Sequence, residues 1–231
     1  MGEVRPVLEM FDPVVRAWFD RQFPNGPTEP QLGAWPLIAQ GRDVLVASPT
    51  GTGKTLTGFL VAIDEACRAT TQGTESGPGP TVVYISPLRA LAADVHQNLQ
   101  VPLEGIRAEA ERMGRPVPRV TVATRTGDTD PAERRAMLKK PPQLLVTTPE
   151  SLYLLLTAKS SRDMLRHVRT VIVDEVHTLA RDKRGSHLAL SLERLAHLVE
   201  GEGGRLQRIG LSATQRPIEV VARLLCGTGV D

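Results

Sequence analysis

An α/β fold, a central and mostly parallel sheet with helices on both faces, is what this 231-residue sequence predicts. Three observations carry the prediction. Short runs rich in Val, Ile and Leu recur at 44–47, 81–86, 120–124, 144–147, 170–174 and 208–211. Longer segments with helical periodicity lie between them. Most of the runs are continuously apolar instead of alternating, the pattern of strands covered on both faces. A β-α alternation of this kind implies parallel neighbours joined by right-handed crossovers.

The elements follow in order. Residues 1–40 read as an N-terminal helical segment and 41–231 as one α/β domain. Within the first, 12–23 and 28–40 carry short helical patterns expected to dock on the sheet edge. After the first run, 54–69 reads as a helix with Leu56, Phe59, Leu60, Ile63 and Cys67 on one face. The stretch 72–80 (QGTESGPGP) is an exposed connection, and 112–119, holding Gly114, Pro116 and Pro118, is a shorter one. Asp130-Pro131 opens a further helix, with a capping side chain followed by Pro at the first helical position. No internal repeat is visible.

Composition narrows the function. Hydrophobic residues make up 41% and charged residues 23%, values that support a buried core and exclude a disordered or collagen-like chain. No apolar run approaches the roughly 20 residues of a membrane span. The first ten residues mix Glu3, Arg5 and Glu9 with apolar ones and do not read as a signal peptide. Two cysteines build no disulfide framework, so a cytoplasmic location is expected. The net charge of +2 means that any nucleic-acid contact is a local stripe. Four Phe, two Trp and two Tyr are too few for a base-stacking platform, so such contact falls on the backbone. The five histidines and two cysteines show no zinc spacing, and no Gly-x-Ser-x-Gly elbow is present.

The strongest motif is Ser48-Pro49-Thr50-Gly51-Thr52-Gly53-Lys54-Thr55, directly after the first run and opening the next helix. Converging backbone N–H groups cradle phosphates, which Gly51 and Gly53 allow; Lys54 adds charge, and Thr55 a hydroxyl for Mg²⁺. The cofactor-binding set is therefore Thr50, Gly51, Thr52, Gly53, Lys54, Thr55 and Leu56. Ser48 stands where the strict pattern has Gly. The second motif is the strand at 170–174 ending in Asp174-Glu175. Asp174 is expected near the metal, and Glu175 where it polarises an attacking water. Lys54, Asp174 and Glu175 form the catalytic set, with ATP and Mg²⁺ as cofactors.

Asp174-Glu175-Val176-His177 is a version of the DExH box, and with it the chain resembles the first RecA-like motor domain of superfamily 2 helicases. Ser86-Pro87-Leu88-Arg89-Ala90-Leu91, Arg125-Thr126-Gly127-Asp128-Thr129, Thr147-Thr148-Pro149-Glu150-Ser151-Leu152 and Ser212-Ala213-Thr214 are similar, in order, to that superfamily's further motifs. The wording TTPESL and GLSAT is most like the Lhr (large helicase-related) family, with the Ski2-like group second. The resemblance implies that Gln31 reads the adenine edge; Thr28-x-x-Gln31 is equally a helix capping box. It implies strand contacts by Arg89, Arg125, Thr126, Gly127 and Thr148. Arg184 is either a further contact or part of a solvated turn. It also implies that His177 links the nucleotide site to Ser212 and Thr214.

The function that follows is the ATP-binding lobe of an ATP-dependent helicase or translocase. Resemblance adds 3′ to 5′ movement on single-stranded DNA and a DNA-repair setting. Motors of this superfamily have two lobes, and the chain ends at Asp231 soon after Thr214, so a second RecA-like lobe is an expected partner. Two alternatives stand beside it: an RNA helicase lobe of the same superfamily, and a nucleotide-dependent nucleic-acid-binding module without turnover.

Overall fold

The computed structural model describes residues 7–49, 51–73, 77–87, 89–180, 182–214 and 217–227. Helices α1 (Pro13–Gln22) and α2 (Glu29–Ala39) precede strand β1 (Val44–Ala47). Then come α3 (Lys54–Thr71), β2 (Val82–Ile85), α4 (Arg89–Arg112), β3 (Val122–Arg125), α5 (Pro131–Lys139) and β4 (Leu144–Thr147). The chain continues through α6 (Pro149–Thr157), α7 (Lys159–Met164), β5 (Thr170–Val173), α8 (Val176–Leu179), α9 (Lys183–Glu200), β6 (Gln207–Ser212) and α10 (Ile218–Cys226).

The six strands form one sheet in the order β1-β6-β5-β2-β4-β3, with every neighbouring pair parallel. All residues of β2, β4 and β5 are buried, as continuous apolar runs require. Alternation still operates inside those runs, because it decides which of two cores a side chain enters. Tyr84 and Ile172 join Phe59, Leu60 and Ile63 of α3 on one face. Val83, Ile85, Val171 and Val173 join Leu188, Leu192 and Leu195 of α9 on the other. Strand β3 begins two residues later than its sequence predicts. Its partner β4 starts at Leu144, opposite Val122, so Val120 has no strand to join and packs into the core instead.

The N-terminal helices share the first core with the sheet. Helix α2 lies beside edge strand β1 and on α3, whereas α1 rests on α4 and not on the sheet edge as expected. A Cβ added at Gly105 of α4 would fall 2.2 Å from Trp18 Nε1, so α1 docks where α4 has no side chain. Trp35, fully buried, receives the edges of Phe11 and Phe19 with ring centroids 5.0 and 5.4 Å away, and its Nε1 donates to the Thr57 carbonyl at 3.2 Å. Removing such a ring from a packed core costs about 3–5 kcal/mol. The predicted cap forms, Asp130 accepting from Ala132 N at 2.6 Å, and Asp12 caps α1 in the same way, accepting from Val14 N at 2.9 Å, each with Pro following. Among the described residues no helix is long and apolar enough to cross a membrane.

Candidate nucleotide and nucleic-acid site

Ser48, Ser86, Thr126, Thr148, Asp174 and Ala213 each follow the carboxyl end of a strand, so the motifs converge on one edge of the sheet. Open parallel sheets bind ligands at that edge. A cleft of about 540 Å³ at the opposite edge, lined by Gln40, Arg169 and Gln207 among others, contains none of them.

The 48–55 loop is built for anions. Gly51 and Gly53 have φ of +82° and +78°, which side chains with a Cβ resist. Lys54 is 8% exposed, and its ammonium donates to the carbonyls of Ser48 (2.7 Å) and Pro49 (2.6 Å). Ser48 Oγ and Thr52 Oγ1 share a bond of 2.7 Å, and Thr52 Oγ1 also donates to Pro49 O at 2.9 Å. The Ser that departs from the strict phosphate-loop pattern thus braces the loop with a bond no Gly can make. Leu56 turns its side chain against the core. Thr50 lies outside the described residues.

Gln31, 3% exposed, forms the capping box and lies beside the phosphate loop. Its Oε1 accepts from Thr28 N at 2.9 Å, closing the capping box of α2. Its Nε2 lies against the phosphate loop, 2.9 Å from where a Cβ on Gly53 would stand. Thr28 Oγ1 adds a bond to Thr52 O at 3.0 Å, so the start of α2 and the loop are one unit.

Across the loop, Asp174 is buried and accepts from Glu175 N at 2.9 Å and from the Tyr84 hydroxyl. Burial raises its carboxyl above the ordinary range, against the opposing pull of Tyr84, the Glu175 amide and Lys54. The Tyr84 phenol is pushed well up by burial and by the adjacent Asp174 charge, with the Thr55 side chain pulling the other way. Thr55 and Asp174 thus both neighbour the Tyr84 hydroxyl. That spacing fits Mg²⁺, which takes one or two protein oxygens and completes its shell with phosphates and water. Glu175 has φ of +47°, the only positive value for a non-glycine residue among those described. Such strain is held by surrounding structure and clusters at functional sites.

The expected coupling residues meet in a different way from the one anticipated. His177 Nδ1 lies 3.2 Å from Ala213 N, which donates to it, and 3.3 Å from Glu175 Oε2. One nitrogen cannot accept from the amide and donate to the carboxylate at once, so the ring's protonation at Nδ1 selects the partner. The link to the Ser212–Thr214 segment runs through the Ala213 backbone. Ser212 Oγ donates to Ala213 O at 2.8 Å, and Thr214 is exposed. Ser48 N bonds Ser212 O at 3.2 Å, tying this segment to the phosphate loop.

The strand-contact candidates occupy the other half of the edge. Arg125 is buried at 9% exposure and donates to the Thr126 carbonyl; Thr126 is buried and Gly127 exposed. Thr148, 2% exposed, caps α6 by accepting from Ser151 N at 3.4 Å. Arg184 donates to Glu150 Oε1 and to Pro87 O, both at 2.7 Å, so it ties two motif segments together and is not a solvated turn. The side chain of Arg89 lies outside the described residues. Sequence reasoning missed Tyr84, which sits within an apolar run and reads as core, and the bonds by which Arg134 ties the Gly127 and Thr129 carbonyls. Neither carried a signal.

Fold and site together define a RecA-like phosphate-loop domain of the kind that helicase motors use. The chain belongs to the DEAD/DEAH box helicase family, whose model matches residues 28–222. It is 53% identical over 220 residues to the Lhr helicase/probable uracil glycosylase of Mycolicibacterium smegmatis, covering 95% of this chain and 14% of that protein. It is 51% identical over 226 residues to the ATP-dependent helicase Lhr-Core of Methanothermobacter thermautotrophicus, covering 98% of this chain and 25% of that one. The structure of Mycobacterium smegmatis helicase Lhr bound to ssDNA and AMP-PNP superposes with a TM-score of 0.87 at 52% identity, over 96% of this chain and 27% of that one. The chain thus spans a quarter or less of the length of these two curated relatives.

Proposed function

We propose that this chain is the ATP-binding lobe of an Lhr-like, ATP-dependent translocase acting on single-stranded DNA. The observation that carries the proposal is the convergence of the phosphate loop, the Asp174-Glu175 pair and the Arg125–Gly127 turn on one sheet edge. It is supported by a similar protein whose structure holds ssDNA and AMP-PNP. In this reading Lys54 and the amides of Gly51, Thr52, Gly53 and Thr55 hold the phosphates. Thr50 belongs to the same set by sequence, and Leu56 adds its backbone at the start of α3. Thr55 and Asp174 hold Mg²⁺, which supplies charge neutralisation on the phosphoryl oxygens. Glu175 orients water, and the strained backbone of the same residue sets its direction. The amide of Gln31, its carbonyl anchored to Thr28, donates to the adenine edge. His177 reports the state of Glu175 to Ala213, between Ser212 and Thr214. Arg125, Thr126, Gly127 and Thr148 contact the strand, and Arg89 is a further contact implied by the resemblance.

A second RecA-like lobe belongs to the proposal. Charge on a transferring phosphoryl group needs cations on more than one side, and an arginine finger is worth ~10³–10⁵ in rate. Cytoplasmic location, 3′ to 5′ direction and a repair setting are the accompanying expectations. The test is ATPase assay of the chain with and without oligo(dT), then with a second lobe fused in cis. Strand-stimulated turnover that appears on fusion and vanishes in Glu175→Gln is expected. Fast strand-stimulated turnover by the verified monomeric chain alone would refute the two-lobe reading. Preference for oligo(U) over oligo(dT) would favour the RNA alternative.

A further inference from the structure

Arg134 stands in the first turn of α5, outside every motif described above. Its Nε donates to Thr129 O and its Nη2 to Gly127 O, both at 2.7 Å. The guanidinium fork thus closes on two carbonyls of the turn that follows β3. The same turn is pinned by Thr129 Oγ1, which accepts from Thr126 N at 2.8 Å and donates to Thr124 O at 3.3 Å. Asp128 N adds a bond to Thr126 Oγ1 at 3.3 Å.

Two features suit this turn to a polyanion. Arg125 is buried beside it, its guanidinium pKa lowered by burial and then by the neighbouring positive charge of Arg134. Two like charges held together gain from an anion near both. The turn's carbonyl oxygens, in contrast, carry negative dipole ends that would repel a phosphate if left open. Arg134 takes two of them.

We propose that Arg134 is a positioning residue of the strand site: its planar fork holds the 127–129 turn in the shape in which Arg125, Thr126 and Gly127 meet a phosphate backbone. It acts through the turn and not as a phosphate contact. The inference rests on the assignment of that turn to the strand site. A lysine keeps the charge but lacks the fork, so it cannot bridge the Gly127 and Thr129 carbonyls in the same geometry.

The experiment measures binding of fluorescein-labelled oligo(dT) to the whole chain over a range of salt concentrations, with nucleotide affinity as a control for folding. Arg134→Lys and Arg134→Ala should each weaken strand binding on the order of fivefold to tenfold, with nucleotide affinity unchanged. In Arg134→Lys the slope of log K against log salt should stay that of the parent. Thr129→Val, which loosens the same turn without touching any charge, should weaken strand binding in the same direction. Parent-like binding by Arg134→Lys with loss only in Arg134→Ala would show that charge alone matters and overturn the proposal. So would parent-like binding by Thr129→Val. Parent-like binding by Arg125→Ala would instead remove the strand-site assignment itself.

Discussion

Gly53 tests how the adenine-side glutamine and the phosphate loop depend on each other. Gly51→Ala and Gly53→Ala both force a Cβ into the left-handed region, at φ of +82° and +78°, a cost of about 1–2 kcal/mol each. Their surroundings differ. Nothing lies within 4 Å of a Cβ at Gly51, whereas one at Gly53 meets Gln31 Nε2 at 2.9 Å. Gln31 cannot retreat freely, because its Oε1 is bound to Thr28 N at 2.9 Å. Displacing it forfeits a capping-box bond worth about 1 kcal/mol. Gly53→Ala should therefore be less stable than Gly51→Ala by about 1 kcal/mol, or ~2–4 °C in melting temperature for a domain of this size. Thermal unfolding of the two single variants and of Gly53→Ala/Gln31→Ala reads this directly. In the double variant the extra penalty should vanish, giving a coupling of about 1 kcal/mol where independent sites would add. Gly53→Ala should also narrow any preference for ATP over GTP, in parallel with Gln31→Ala. Equal melting temperatures for Gly51→Ala and Gly53→Ala, or strict additivity in the double variant, would refute the reasoning.

Three further outcomes are expected. Lys54→Ala should weaken Mg²⁺-nucleotide binding by about 1.5–3 kcal/mol in calorimetry, since it removes a charge-assisted phosphate contact; unchanged affinity would sink the loop assignment. Strand binding by the parent chain should ignore base sequence and fall with salt, with a slope near −0.7 for each phosphate engaged. Affinity that tracks sequence and not salt would mean that the 125–127 turn has been misread. Burial, helped by the nearby carboxylates Asp64 and Asp12, pushes the Cys67 thiol up to about 12, leaving on the order of one thiolate in 10⁴ at pH 8. In a timed aromatic-disulfide titration Cys67 should stay silent in the native protein and react after denaturation, and rapid native reaction at Cys67 would contradict the packing of α3.

Strand positions were legible because burial on both faces leaves one reading for runs such as Leu144–Thr147. The start of β3 was not, since it is decided by where a distant partner begins and no local pattern records that. The place of α1 was hidden for a similar reason: the vacancy it fills is Gly105, far along the chain. At the site, residues whose chemistry depends on spacing along the chain could be read, as in Gly51 to Thr55. Residues that act by crossing between elements could not. Tyr84 looks like core and is core, stacked on Phe59 with ring centroids 4.6 Å apart, yet its hydroxyl ends on Asp174. Thr148, which the resemblance names as a strand contact, also caps α6 through its hydroxyl, a role its sequence does not announce.

The strand order has one more consequence. Strands β1, β6 and β5 carry the phosphate loop, the Ser212 segment and Asp174, while β2, β4 and β3 carry the other motifs. The half proposed for nucleotide and the half proposed for the strand therefore share a single seam, β5 against β2. Along it the backbones are locked from Val82 opposite Thr170 to Ile85 opposite Val173, with Asp174 N bonded to Ile85 O at 2.9 Å just beyond. A paired backbone of this kind is a stiff joint, so traffic across it falls to side chains that straddle the line. Among the described residues, Tyr84 does so at the working edge, from β2 to Asp174, and so does Arg184, from the start of α9 to Pro87 and Glu150. Cutting both would leave each half able to hold its own ligand while erasing the coupling free energy between them. The result would be a clutch permanently disengaged, with both plates intact.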